Sequence, residues 1–239
     1  MVKSFLIIAF VQMFLYASSQ IILVVSENID SKKAVLMSFE NSKEVFAPFD
    51  VNIGLNGLAY GVGEIEIGQE QDEPLKYEGD KKAPLGIFLL DSLFGYEENN
   101  QSKMPYQKSD KELICIDDTD SEQYNKIIRV DFTKPENIPK SFEYMRRDDG
   151  QYEFGVVVLH NKEQFKGRGS CIFLHVQASQ NAPTSGCTSM SLENMKKIVG
   201  WLDKSKNPIL IQITKSRLDE ILELFPELKG YAGFTKKED

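Results

Sequence analysis

"SGCTSMSLENMKKIVGWLDKSKNPILIQIT", residues 185–214, changes its hydrophobic period twice. A loop of small residues leads into Leu192, Met195, Ile198, Val199 and Leu202, which recur at three- and four-residue steps, as on one face of an amphipathic helix. Ser191 is a natural N-cap, and Asn207-Pro208 ends the helix before the strand "ILIQIT" (209–214). Outward from this stretch the strand signal dominates. "IILVVS" (21–26), "AVLMSFE" (34–40) and "EVFAPFDVNIG" (44–54) read as an antiparallel meander, and "GIFLL" (86–90), "FGVVVLH" (154–160) and "SCIFLHV" (170–176) as further strands. "SRLDEILELF" (216–225) reads as a second helix. "GLNGLAYGVG" (54–63) is expected to be a loop with close backbone packing, and 91–107 a long polar surface loop bordering a site. The expected fold class is mainly β with a few helices, an α+β arrangement.

At the start of the chain Lys3 precedes an apolar run from Phe5 to Tyr16, followed by Ala17 and Ser19 at an A-x-S spacing. That is the layout of a secretory signal over residues 1–19, and the run is short for a bilayer span of about 20 apolar residues. The expectation is a periplasmic protein, exported by its signal peptide, with no stable membrane span once the signal is cleaved. Residues 20–239 are expected to form a single domain with a sizeable core. A net charge of −8 with no Lys/Arg block argues against sequence-independent binding to nucleic acid. The mixed-charge "TKKED" at the end reads as solvated. Two histidines, with no Cys-x-x-Cys or His-x-x-x-His pairing, give no zinc signature, so neither metal nor cofactor is expected. Cys171 and His175, read as the ends of one strand, would stand roughly 13 Å apart, too far to share an ion.

The cysteines number three, so at most one disulfide forms within the chain and a thiol is left over. Cys115 in "ELICIDD" and Cys171 in "SCIFLHV" read as small buried residues; a disulfide between them is allowed, and nothing in the sequence selects it. Cys187 differs. Gly186 and the small residues of "PTSGCTS" leave it uncovered, and it stands a few residues before a helix start, where backbone N–H groups and the dipole favour a thiolate. The same N–H groups are candidates for an oxyanion hole. A cysteine nucleophile needs a base, and His160 and His175 both end strands. The residues alone lead to a cysteine–histidine acyl-transfer enzyme with the histidine undecided.

At these residues the chain resembles the YkuD-type L,D-transpeptidase family, whose signature is a histidine, a gap, then Ser/Thr-x-Gly-Cys. Here it reads His175…Thr184-Ser185-Gly186-Cys187. "YEGDKKAPLGIFLL" (77–90) resembles the family's Gly-Asp…Pro-x-Gly-x-Phe segment, and "IDDTDSEQYN" (116–125) and "GSCIFLHV" (169–176) resemble a bacterial subgroup. The resemblance implies a mostly β catalytic domain acting on peptidoglycan stem peptides. Cys187 would attack the carbonyl that joins the diamino acid at stem position three to the terminal D-alanine. His175 would be the general base, oriented by a backbone carbonyl, and N–H groups near Gly186 and Cys187 would hold the oxyanion. Thr184, Ser185, Thr188, Ser189, Tyr124 and Asp118 would bind substrate, with Asp117 and Asn125 nearby; a solvated helix cap is the other reading of "DDTDSEQYN". Two positions depart from the family. Ser185 stands where a histidine is frequent, and Ser189 where an arginine or asparagine is common.

The expected function is peptidoglycan L,D-transpeptidation through a Cys acyl-enzyme with release of the terminal D-alanine. The alternatives are an L,D-carboxypeptidase trimming tetrapeptide to tripeptide, and a non-catalytic peptidoglycan-binding module, which the Ser189 departure favours. A papain-like thiol protease is disfavoured by the order of cysteine and histidine. The sequence sets no oligomeric state.

Overall fold

The computed structural model describes residues 20–98 and 102–229. The signal-like segment 1–19 and the terminal "TKKED" lie outside the described residues. The chain opens as β1 (Gln20–Ser26), β2 (Lys33–Glu40) and β3 (Lys43–Asn52), followed by β4 (Leu58–Tyr60), β5 (Ala83–Gly95) and β6 (Tyr106–Lys108). Three short strands come next: β7 (Leu113–Ile116), β8 (Ile127–Arg129) and β9 (Phe142–Tyr144). Then β10 (Phe154–Val158), β11 (Phe173–Val176) and β12 (Thr188–Met190) precede helix α1 (Leu192–Trp201), β13 (Ile209–Thr214) and helix α2 (Leu218–Leu224). The fold is mainly β, as the sequence implies.

Hydrogen bonding runs β10-β11-β12-β3-β2-β1-β13-β5-β4, and β10 also pairs with β5, so the sheet returns on itself as a barrel. The meander holds for β1 to β3 only. β1 pairs antiparallel with β2 but parallel with β13, Ile21 opposite Ile209, and β11 and β12 are also parallel. β12 meets β3 at one pair, Ser189 opposite Asn52, which makes that junction the thinnest part of the ring.

The strands close this way because β1 and β13 carry apolar residues at nearly every position, the pattern of strands covered on both faces. Ile22, Leu36 and Phe88 on one face of the sheet, and Leu23, Phe39, Leu85, Ile209 and Ile211 on the other, are buried in the core. Helix α1 begins where Ser191 accepts the Asn194 N–H at 3.2 Å, and it buries Met195, Ile198 and Val199 against β10 and β11. Gln212 of β13 is buried among these residues and is satisfied by the Pro84 carbonyl and by the Thr188 hydroxyl.

Two expectations are corrected. The segment 91–107 is not one long loop, because β5 continues to Gly95 and β6 starts at Tyr106, with Leu93 opposite Tyr106. None of its described residues borders the pocket described below. The glycine-rich 54–63 contains β4, whose Leu58 lies opposite Ala83. A second sheet, β8-β7-β9, folds around Ile114, Ile116 and Val130. A Cys115–Cys171 disulfide ties it to the barrel.

Candidate active site

The parallel register of β11 and β12 sets Leu174 opposite Thr188 and His175 opposite Ser189. Cys187, one residue before β12, is therefore level with Phe173, whose backbone N–H donates to its Sγ at 3.4 Å. The thiol donates to the Cys171 carbonyl at 3.5 Å. Alternation along β11 turns His175 to the same side as Phe173. Cys187 and His175 open into one pocket of about 360 Å³, whose walls include Lys76, Glu78, Asp117, Glu143, Arg147 and Tyr152.

The turn before the thiol is fixed from both sides. Gly186 has φ +150°, and a Cβ there would stand 3.2 Å from the Lys82 carbonyl oxygen, so a side chain is strained at this position. Thr184 Oγ1 accepts the Gly186 N–H at 3.1 Å and donates to the Cys187 carbonyl at 2.6 Å. Upstream, Gly79 lines the same pocket, and Lys82 and Lys76 are neighbours of Gly186. Asp80 holds the buried Lys76 ammonium at 2.6 Å and accepts the Tyr77 and Lys82 N–H groups.

His175 Nδ1 lies 2.8 Å from the Val176 carbonyl oxygen, so Nδ1 carries the proton and Nε2 the lone pair. Its ring meets Tyr152 edge-on at 5.3 Å, and the Tyr152 hydroxyl donates to Glu143 at 2.7 Å. Burial pushes the imidazole down to about 4. Burial, reinforced by the Glu143 carboxylate, pushes the Cys187 thiol up to about 12. Both groups rest uncharged at neutral pH. The expectation of an uncovered, dipole-assisted thiolate is thereby corrected: Cys187 is 8 % exposed, and β12 separates it from the start of α1, beyond the reach of a helix dipole.

His160 occupies a different environment. Its Nδ1 accepts the Val62 N–H at 3.2 Å and its Nε2 faces the Arg168 carbonyl at 2.9 Å, so both nitrogens are used. Burial takes it down to about 3.

Of the residues singled out in the sequence, the fold brings Cys187, His175, Gly186, Thr184, Ser185 and Asp117 to the pocket. It does not bring Thr188, Ser189, Tyr124, Asp118 or Asn125 to its walls. Thr188 points at Gln212 within the barrel, because β12 alternates its faces. Ser189 is buried beside His175, and its hydroxyl has no hydrogen-bond partner among the described residues. The Tyr124 hydroxyl donates to Glu78 at 2.5 Å, bracing a wall residue from behind. Asp118 caps its own turn by accepting the Asp120 N–H at 3.0 Å. Asn125 holds the Cys171 N–H and the carbonyls of His160 and Asn161, shaping the approach to β11. Cys171 itself lies outside β11, with φ +54°, so it does not alternate with Phe173 on a strand.

Sequence reasoning missed Lys76, Glu78, Glu143, Arg147 and Tyr152. "YMRRDDGQYEF" (144–154) carried the one available signal, two arginines and an aromatic around a turn glycine just before a strand.

A closed, mainly β domain with a cysteine and a histidine facing one polar pocket is the build of an L,D-transpeptidase-type enzyme. Residues 21–211 match the YkuD family, the L,D-transpeptidase catalytic domain, and the chain belongs to that family. YkuD proteins act on the peptidoglycan of the cell wall. No curated protein and no solved structure matches the chain.

Proposed function

We infer that this chain is an exported, single-domain peptidoglycan L,D-transpeptidase that works through an acyl-enzyme on Cys187. The observation that carries the reading is the fixed His175 tautomer, which leaves Nε2 basic in the pocket that holds the only free thiol among the described residues. Cys187 Sγ attacks the carbonyl carbon before the terminal D-alanine while its proton passes to His175 Nε2. The carbonyl bond re-forms, the amide C–N bond breaks, and the departing amine takes that proton, leaving a thioester. An acceptor amine then attacks the thioester, gives its proton back through His175, and releases the thiol. With the thiol near 12 and the imidazole near 4, an ion pair formed ahead of substrate is strongly disfavoured, so proton transfer accompanies attack. The Gly186 amide is engaged by Thr184, so the amides of Ser185 and Cys187 are the oxyanion donors in this reading.

The test is to incubate the protein with a tetrapeptide muropeptide and a D-amino acid, and to weigh the products and the intact protein. Exchange of the terminal residue or dimer formation, with a thioester adduct absent from Cys187→Ala, is the expected result. Tripeptide alone at every amine concentration would assign the carboxypeptidase reaction instead. Binding without any product would assign the non-catalytic module.

A further inference from the structure

We propose that Arg147 is the residue that grips the free carboxylate of the departing D-amino acid, making the enzyme selective for an unblocked stem-peptide terminus. The proposal rests on the acyl-transfer reading above and deepens it. Ser189, buried and outside the pocket, offers no cation where the family commonly has one. A carboxylate entering the pocket is repelled by the carboxylates of Glu78, Asp117 and Glu143 on its walls. Three cations remain on the walls: Lys76, Lys81 and Arg147. Lys76 is buried and already committed to Asp80 and the Tyr77 carbonyl. Lys81 is an exposed point charge on a flexible stem.

Arg147 is oriented. Its Nε donates to both Asp149 carboxylate oxygens, at 3.0 and 3.1 Å, and its Nη2 donates to one of them at 2.5 Å. That fixes one edge of the guanidinium and leaves Nη1 with no hydrogen-bond partner among the described residues. Nη1 therefore retains two N–H donors for an anion. The guanidinium carbon lies 5.2 Å from the centre of the Tyr152 ring, and that ring lies 5.3 Å from the His175 ring. The spacing selects which carboxylate is held. His175 delivers its proton to the amine of the departing residue, whose carboxylate is attached one carbon away. The group beside His175 is thus the leaving residue, and the cation next along is Arg147.

The experiment compares a tetrapeptide ending in a free D-alanine carboxylate with the same peptide ending in D-alanine amide, for the wild type, Arg147→Ala and Arg147→Lys. A hydrogen bond to a charged group is lost in Arg147→Ala, so kcat/KM on the acid should fall about 10- to 100-fold. Activity on the amide should change little, and the wild-type preference for the acid should disappear. Arg147→Lys, which keeps charge without the fork, should fall between. A merely structural role in seating Tyr152 and His175 would lower both substrates equally, and that result overturns the proposal. Equal wild-type turnover of acid and amide overturns it as well, while leaving the acyl-enzyme reading intact. Absence of any turnover or thioester adduct in the wild type overturns that reading, and the proposal with it.

Discussion

His175 lies within β11 and His160 two residues beyond the end of β10, and they differ in how many ring nitrogens the fold consumes. At His160 both are occupied, by the Val62 N–H and the Arg168 carbonyl. At His175 the backbone fixes Nδ1, and the pocket receives the rest of the ring. His175→Ala should therefore lower turnover by about 10²–10⁴-fold, with a smaller loss of melting temperature than His160→Ala because one backbone group rather than two loses its partner. His160→Ala should leave two buried backbone groups unpaired and lose about 1–3 kcal/mol of stability per group. Steady-state kinetics beside thermal melts separates them, and an inactive but fully stable His160→Ala would reverse the assignment. Which histidine faces the pocket was legible only through the family resemblance, since both close strand-like runs. The protonation state of Cys187 was not legible, because its cover comes from distant residues such as Phe173 and Tyr152.

Among the elements, β1, β13 and α1 were readable because each carries a strong local apolar pattern, a run in the strands and a three- and four-residue period in the helix. The small sheet β8-β7-β9 was not. Its strands are three or four residues long and take their identity from pairing, Ile114 opposite both Ile128 and Tyr144, rather than from local pattern. That sheet supplies Glu143 to the pocket, and β7 leads directly into Asp117, so the acidic wall stayed hidden with it. The sheet's anchor is the Cys115–Cys171 link, which closes a loop with a sequence separation of 56. Loop-closure entropy on that scale corresponds to about 4 kcal/mol. The Cys115→Ser/Cys171→Ser double variant should melt at a lower temperature by calorimetry and lose activity beyond its loss of stability, because the Cys171 carbonyl receives the Cys187 thiol. A variant that melts lower but retains full activity at temperatures where it is folded would show that the link serves stability alone.

For the whole molecule, the two buried histidines make folding sensitive to acid. Each has a folded pKa below its ordinary value of 6.5, at about 4 for His175 and about 3 for His160. The unfolded chain takes up these protons first as pH falls, so stability is complete above 6.5 and declines from there toward 4. Each histidine contributes about 1.4 kcal/mol per pH unit within that window. Denaturant titrations between pH 7 and 4 should show this slope, and it should be roughly halved in His160→Gln; a flat profile would mean that the imidazoles are solvated. A different consequence follows from the thin junction between β12 and β3. From Lys43 to Val51, β3 pairs with β2 on one side and with no other described strand on the other, since β12 reaches only Asn52. A strand left open in this way is a template for intermolecular pairing and fibril growth. Here it carries Lys43, Glu44 and Asp50, with Pro48 at an irregularity in its register, and a proline gives a passing chain no N–H to bond. The barrel is thus protected against self-aggregation at the place where its ring is least complete.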